Sequence, residues 1–531
     1  MTKAPPQGLN DRALGWLRYI WDKATTPDDW SDRGEPHPWW DRYCEPPMCS
    51  FPRFDLPYTA YVLPVMIEAT PAWREAYVRI ADEVARRYTT FWGAVDWNTL
   101  IGPDPGVDRY PPEFLTLIPE KLRGRYAPPG WTGNGIEPWG LQPDPVGADG
   151  NVFYRGWLNL LLGMRRYVSG KADQDERFDV TGYRNRQFTW THARIAALIS
   201  AQMAARPQGP HCENTKIWPF CVSATGLGLK LYDALLGTTL HAPFPRWVEY
   251  VRKHYMEIDR DGNLAWFVLY YDPIQQRAET FPHKVTAYSA ITVLLYLYPQ
   301  DRAFAEQLYT LSMRLLAWSD PSRPVVQLVD HPLNLACALF IARELGDSTT
   351  ETRLREIAET KYEPRFFGAE NDRFAFRLGI DSEWPRGQVN SILMLSECSA
   401  PGAWWRVFNE PNLKMHNEPT VCDVDYPNLG IRRAQNDMVR GVLEIETIAA
   451  TPSRRGTATQ FTVKGLPDPA NVVVTVDDQE FTRWHVSASD AIRIETDVDE
   501  HHFRIVFRST SPAKKAHRIV QEISNTAESN R

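Results

Sequence analysis

Long apolar runs are missing from this chain of 531 residues. No stretch reaches the roughly 18 consecutive apolar residues of a membrane-spanning helix, so no membrane span is expected. Basic charge is also short. Lys and Arg number 59 against 66 Asp and Glu, a net charge of −7, which leaves no electrostatic footprint for nucleic acid. The opening Met1-Thr2-Lys3-Ala4-Pro5-Pro6 lacks the apolar core of a secretory leader. Cysteine is sparse and odd in number. The seven, spread from Cys44 to Cys422, do not form the framework of a small disulfide-stapled domain. The expectation is a cytoplasmic protein with free thiols.

Metal-binding patterns are incomplete. Asp259-Arg260-Asp261-Gly262-Asn263 starts like a calcium loop, but its twelfth position is Tyr270, where a bidentate Glu is needed, so a hairpin turn is expected. Asp28-Asp29-Trp30-Ser31-Asp32 spells a magnesium–diphosphate pattern without a second metal motif, and reads as a solvated loop. Asp497-Val498-Asp499-Glu500 reads as a turn. No metal site is expected from these patterns.

Aromatic residues are plentiful: 20 Trp, 22 Tyr and 22 Phe. Such a set fills a large core, stacks on sugars, or lines a pocket whose π-faces stabilise a cation. From about residue 11 to 400 the apolar spacing is helical. The segments are 11–23, 58–69, 73–91, 151–168, 186–205, 222–236, 246–256, 283–297, 304–318, 332–345, 352–360 and 387–398. This is the count of an (α/α)6 barrel, with an irregular bundle as the alternative. The Pro- and Gly-rich stretch 101–150 is too long for a mere connection and is expected to wall or cover a pocket. After about residue 425, short Val-, Ile- and Thr-rich runs at 442–449, 458–464, 471–476, 483–488, 491–496 and 503–508 predict a small antiparallel β domain. The fold class expected is therefore mainly α. A helical barrel occupies 1–425, a β-rich domain 426–510 and a polar tail 511–531.

Chemistry concentrates at His211-Cys212-Glu213-Asn214-Thr215-Lys216-Ile217-Trp218-Pro219-Phe220-Cys221. The cysteines are too far apart for a usual zinc pair and suit two thiols facing one pocket. Glu213 and His211 are titratable neighbours, and Cys221 falls at the start of a helix, which favours a thiolate. Buried filler is the bland reading for both thiols. Glu213 also suits an ion pair with Lys216. His192 and His283 lie on helical patterns and read as structural. Tyr270 and Tyr271, in Trp266-Phe267-Val268-Leu269-Tyr270-Tyr271-Asp272, line a barrel mouth or belong to the core.

Three segments in order resemble linalool dehydratase-isomerases. They are the Cys212-Glu213 to Cys221 loop, Asn151-Val152-Phe153-Tyr154-Arg155-Gly156-Trp157, and Asp55-Leu56-Pro57-Tyr58-Thr59-Ala60-Tyr61. Tyr88–Trp92 and Trp384–Gln388 are weaker echoes, and the C-terminal β region has no counterpart. The resemblance spans roughly residues 50 to 400. It implies an (α/α)6 barrel that binds an isoprenoid-derived substrate inside, without metal or cofactor, and a homo-oligomer. It places Asp55, Tyr61, Cys212 and Cys221 at polar active-site positions and Phe153 at an apolar wall. Trp157 stands where the family has a histidine. An indole does not shuttle protons at neutral pH, so the proton relay is expected to be rewritten.

The residues then point to acid-initiated dehydration, isomerisation or cyclisation of a terpenoid or meroterpenoid in a water-poor pocket. Asp55 is the leading acid, although its place three residues before Tyr58 also suits a helix N-cap or a salt bridge. Glu213 is the second acid–base candidate. Tyr58, Phe153, Trp157, Trp218, Tyr270 and Tyr271 are expected to face substrate. The alternative is a glycoside hydrolase or polysaccharide lyase on the same barrel, using Glu213, Asp55 and Asp272. A carrier of a hydrophobic ligand is a third reading.

Overall fold

The computed structural model describes residues 8–26, 52–90, 142–182, 186–212, 216–273, 275–318, 320–322, 331–379, 385 and 387–507. The helical part opens with α1 (Asp11–Thr25), α2 (Pro52–Thr59), α3 (Val62–Met66), α4 (Glu75–Thr89) and α5 (Val152–Ser169). A hairpin, β1 (Phe178–Thr181) and β2 (Gln187–Trp190), precedes α6 (His192–Ala205), α7 (Pro219–Leu236) and α8 (Phe244–His254). A three-stranded sheet, β3 (Met256–Ile258), β4 (Leu264–Asp272) and β5 (Arg277–Thr280), leads to α9 (Ala287–Leu297) and α10 (Arg302–Leu316). Then come α11 (Pro332–Leu345), α12 (Ser348–Lys361), the hairpin β6 (Pro364–Phe367) and β7 (Arg373–Phe376), α13 (Gly387–Cys398) and α14 (Ala403–Asn409).

Local chemistry sets the ends. Asn10, Thr191, Asp301 and Asp347 cap α1, α6, α10 and α12, each side chain accepting from the amide three residues on. Gly170 and Gly237 close α5 and α7 with φ of +70° and +67°.

Packing sorts the helices into two sets. α2 packs on α5, α5 on α7, α7 on α9, α9 on α11, α11 on α13, and α13 returns to α2. These six are buried round most of their circumference; in α5 every residue from Val152 to Met164 is buried. Such helices need cover on both sides. The other set supplies it from outside: α4 lies on α2 and α5, α6 on α5 and α7, α10 on α9, α12 on α11, and α1 on α4 and α13. Its outer faces carry charges, as in the Arg79–Glu83–Arg86 set of α4. α5 and α7 approach closely because Gly156 faces Thr225, whose Oγ1 a Cβ at residue 156 would overlap.

Two predicted helices differ. The pattern at 58–69 gives α2 and α3 with a break at Ala60–Tyr61. Pro64 has no amide to donate to Ala60, and its ring crowds that carbonyl. The pattern at 186–205 starts as β2, paired with β1, before Thr191 caps α6. The expected turn at Asp259 joins β3 and β4, with Asp259 Oδ1 accepting from the amides of Asp261 and Asn263.

The C-terminal strands are β8 (Thr420–Cys422), β9 (Leu429–Asp437), β10 (Val442–Ala449), β11 (Ala458–Lys464), β12 (Val473–Val476), β13 (Gln479–Glu480), β14 (Trp484–Ala488), β15 (Ala491–Asp497) and β16 (His502–Val506). They form two antiparallel sheets, β13-β12-β16-β10-β9 and β14-β15-β11-β8. The inner faces meet where Phe461 packs edge-on against Phe503, 5.2 Å between centroids. Main-chain bonds tie this sandwich to the α3–α4 connection: Ala72 N to Ala434 O (3.1 Å), Ala434 N to Ala69 O (3.1 Å) and Val421 N to Ala72 O (2.7 Å). No helix among the described residues is long and apolar enough to cross a membrane.

Candidate functional site

The segment before α7 folds back as a short bridge. Cys212 N donates to Lys216 O at 2.7 Å, and Val152 N at the start of α5 donates to His211 O at 3.1 Å. Pro219 then opens α7 and puts Cys221 in its first turn. This brings the thiols together: Cys212 Sγ and Cys221 Sγ are 3.3 Å apart, both buried. Glu213, with residues 214 and 215, lies outside the described residues.

Phe220, one residue before Cys221, links the thiols to an aromatic cluster. Its ring is 5.4 Å from Trp157, 5.4 Å from Tyr296 and 6.2 Å from Phe54. Phe54 and Trp157 pack edge to face at 5.2 Å, Tyr58 stacks on Tyr61 at 4.4 Å, and Trp404 of α14 backs Tyr61 at 5.6 Å. The rings come from α2, α5, α7, α9 and α14. At their centre, Tyr296 OH is hydrogen-bonded to Tyr58 OH and, at 3.1 Å, to Tyr61 OH. Trp157 Nε1–H donates to Tyr61 OH at 3.0 Å, and Gln388 of α13 hydrogen-bonds Tyr58. Burial pushes all three phenols well above their ordinary range, so they keep their protons. The buried thiol of Cys337 on α11, pushed up to about 12, lies close enough to raise Tyr58 and Tyr61 further.

Asp55 is not a helix cap. It is the fourth residue of α2, and its Oδ2 lies 3.4 Å from Lys23 Nζ of α1, with both side chains fully buried. The salt-bridge reading describes its geometry. Gly387, the first residue of α13, presses on this pair, since a Cβ there would overlap Asp55 Oδ1. The next residue, Gln388, reaches Tyr58. The first turn of α13 therefore touches both the ion pair and the phenols.

The remaining predicted residues form a second group. Trp218 and Tyr270 lie 4.8 Å apart, and Tyr271 exchanges main-chain bonds with Ile217 at 2.8 and 2.9 Å. β4 thus lies along the strand that leads into α7. Asp272 ends β4, buried, and accepts from Gln275 N at 3.1 Å. Phe153 is buried on α5, one turn before Trp157. His192 is also buried, edge-on to Tyr232 at 4.9 Å. The Asp28–Asp32 pattern lies outside the described residues.

Several members of the site are absent from the sequence-based set: Lys23, Phe54, Phe220, Tyr296, Cys337, Gln388 and Trp404. Two had a local signal. Lys23 interrupts the apolar face of α1 that runs through Trp16, Tyr19 and Ile20, and Tyr296 is a hydroxyl-bearing residue inside Leu294-Leu295-Tyr296-Leu297.

Residues 132–371 match the family described as linalool dehydratase/isomerase. Trp157, Cys212, Cys221 and Tyr296 fall within that segment, whereas Asp55, Tyr61 and Gly387 lie outside it. Among solved structures, the chain is similar to an endoglucanase CelQ from Clostridium thermocellum complexed with cellotriose, with 11% identity, 94% of this chain and 93% of that chain covered, and a TM-score of 0.34. It is also similar to a GH127 beta-L-arabinofuranosidase from Geobacillus stearothermophilus T6, with 11% identity, coverage of 86% and 76%, and a TM-score of 0.24. Likenesses this distant carry no argument about the reaction.

Proposed function

From a chain that carries a linalool dehydratase/isomerase domain over residues 132–371, we propose an enzyme of lyase or isomerase type acting on a terpenoid or meroterpenoid inside the six-helix ring. In this reading α2, α5, α7, α9, α11 and α13 are the inner helices of an (α/α)6 barrel. The closed succession of contacts from α2 back to α2 supports that arrangement. The strands after about residue 425, with β8 just ahead of them, make a separate β domain.

One observation carries the proposal: a largely buried cluster of π-faces and neutral phenols adjoins, through Phe220, a pair of buried thiols. Acid-initiated loss of a hydroxyl, or protonation of an alkene, leaves a carbocation that needs π-faces and must not meet water. Phe54, Trp157 and Phe220 supply such faces. The phenols stay neutral, so their role is to orient a hydroxyl by hydrogen bonding and not to abstract protons. Asp55 is the acid that starts the reaction. Of the thiol pair, Cys221, at the start of α7 and accepting from Cys212, would take a proton from the cation as a thiolate and end as a neutral thiol. Trp157, holding Tyr61 OH through its N–H, fixes the phenol set where a histidine would have carried protons.

The test is incubation of the full chain with linalool and longer isoprenoid alcohols, with products resolved by gas chromatography and mass spectrometry. Conversion is expected, and Asp55→Asn, Cys212→Ala or Cys221→Ala should abolish it while the circular dichroism spectrum is kept. Full activity in all three variants sinks the site assignment. Cleavage of oligosaccharides with no isoprenoid converted sinks the reading itself.

A further inference from the structure

α1 buries Ala13, Trp16, Leu17, Tyr19, Ile20, Lys23 and Ala24. One of these is a primary amine. Lysine is almost never fully buried unless paired. Lys23 meets that condition through Asp55 alone among carboxylates within salt-bridge reach in the described residues. The dry surround pushes its ammonium down to about 7, and Asp55 opposes that fall. An ion pair at the surface would tether α1 to α2 with far less desolvation. Gly387 leaves room for this pair: a Cβ there would lie 3.0 Å from Lys23 Nζ as well as overlapping Asp55 Oδ1.

The other charged groups round this end of α1 are engaged elsewhere. From α4, Arg87 donates to Thr26 O at 3.0 Å and to Ala24 O. From β7 and the turn before it, Arg373 pairs with Asp22 at 2.7 Å and Asp372 with Arg18 at 3.1 Å. On α1 itself, the Tyr19 ring lies 5.7 Å from Nζ. Among the described residues, Asp55 is the charged group that opposes the fall of the Lys23 ammonium.

We propose that Lys23 is a positioning residue that acts through Asp55, holding its carboxyl group against the first turn of α13 and returning a proton to it between turnovers. This rests on Asp55 being the acid of the reaction proposed above. In the return step an N–H bond of the ammonium breaks and an O–H bond forms on Oδ2, so ammonium and carboxylate become amine and carboxylic acid. Dehydration and isomerisation consume no net proton. The proton taken from the carbocation by a cysteine passes to solvent once product leaves, the amine regains one from solvent, and no co-reactant is required.

The test has two arms. In the first, the full chain carries 13Cε-labelled lysine, and the Lys23 resonance is identified by its loss in Lys23→Met. It should titrate near neutrality, and Asp55→Asn should move its midpoint further down. A midpoint at the ordinary lysine value, or one that ignores Asp55→Asn, overturns the proposal whatever the activity. The second arm measures turnover of linalool. Lys23→Met should lower kcat about 100-fold with little change in KM, the scale of a lost proton-transfer group. Lys23→Arg, which keeps a cation beside Asp55 but releases no proton, should leave kcat as low as in Lys23→Met, and a recovery of kcat would overturn the proton-return role. Unchanged kcat in Lys23→Met overturns the role. If the wild type converts no isoprenoid alcohol while the first arm shows coupling, the proposed reaction and the role of Lys23 in it both fall, and the coupled pair stands alone.

Discussion

Replacing Lys23 by Met should change how stability depends on pH, and the structure fixes both sign and size. Folding moves the Lys23 ammonium from its ordinary 10.5 down to about 7. Between those values the unfolded chain holds a proton that the folded chain lacks, so stability rises with pH across that window. Below about pH 7 both states are protonated and the full cost of burying the charge is present; above about pH 10.5 it is absent. At about 1.4 kcal/mol per pH unit, the span from about 7 to 10.5 amounts to about 5 kcal/mol. Lys23→Met alone would also strip Asp55 of its partner, so the comparison is made in an Asp55→Asn background. There the two chains share every other titrating side chain, and the difference between their unfolding free energies isolates this term. Urea unfolding followed by circular dichroism at pH steps from 6 to 10 would measure it. The chain that keeps Lys23 should gain on the Lys23→Met chain by about 1 kcal/mol per pH unit above neutrality. A difference that stays flat from pH 7 to 10 would refute the reasoning, because an ammonium that titrates as if in water cannot be sealed against residue 55.

Three further outcomes are expected. Gly156→Ala puts a methyl group into Thr225 Oγ1 at the α5–α7 contact and should cost roughly 1–3 kcal/mol, read as a lower Tm. Glu344, at the end of α11, accepts from the amides of Trp404 and Trp405 and is raised by burial to about 7 from an ordinary 4.5. Its folded form binds the proton more tightly, so that contribution is present below about pH 4.5 and is lost as pH rises through about 7. Glu344→Gln should flatten that fall, worth about 3 kcal/mol at most, in Tm measured from pH 4.5 to 8. Trp157→Phe keeps a ring against Phe220 but leaves Tyr61 OH without the indole donor; about 1 kcal/mol of stability should go, and unchanged chemical denaturation would argue against the phenol set as drawn.

The sequence made much of the helical part legible because its helices are long and punctuated. α11 and α13 run over the residues that their apolar spacing predicts, and α5 and α7 differ from it by a few residues at their ends. It misled where one residue type outweighed the period. Pro64 split a helix that the apolar spacing joined, and Gln187–Trp190 alternates as a strand just before a helix start. The thiols were legible as a pair, since a fixed loop and a helix start confine both to one place. Tyr296 and Lys23 show locally only as polar groups on apolar helices, and that signal does not name their partners, which lie more than 200 or 30 residues away. The sandwich strands β10 and β11 were visible in their alternation. β8, only three residues long, and β9 carry too weak a period, and they exist through pairing with β11 and β10.

The three main-chain bonds between the sandwich and the α3–α4 connection limit how this protein can be cut or shuffled. Residues 69 and 72 follow directly on the segment that carries Asp55, Tyr58 and Tyr61, and the Ala72 amide and the carbonyls of Ala69 and Ala72 are satisfied from beyond residue 420. Trp73 packs on Tyr426 at 5.5 Å in the same place. A chain ended near residue 415 would keep every residue of the aromatic cluster yet strip polar backbone and a tryptophan bare beside it. The sandwich therefore cannot be treated as a detachable module. Swapping it between relatives would have to carry the residue 69–73 bend along as part of the same graft.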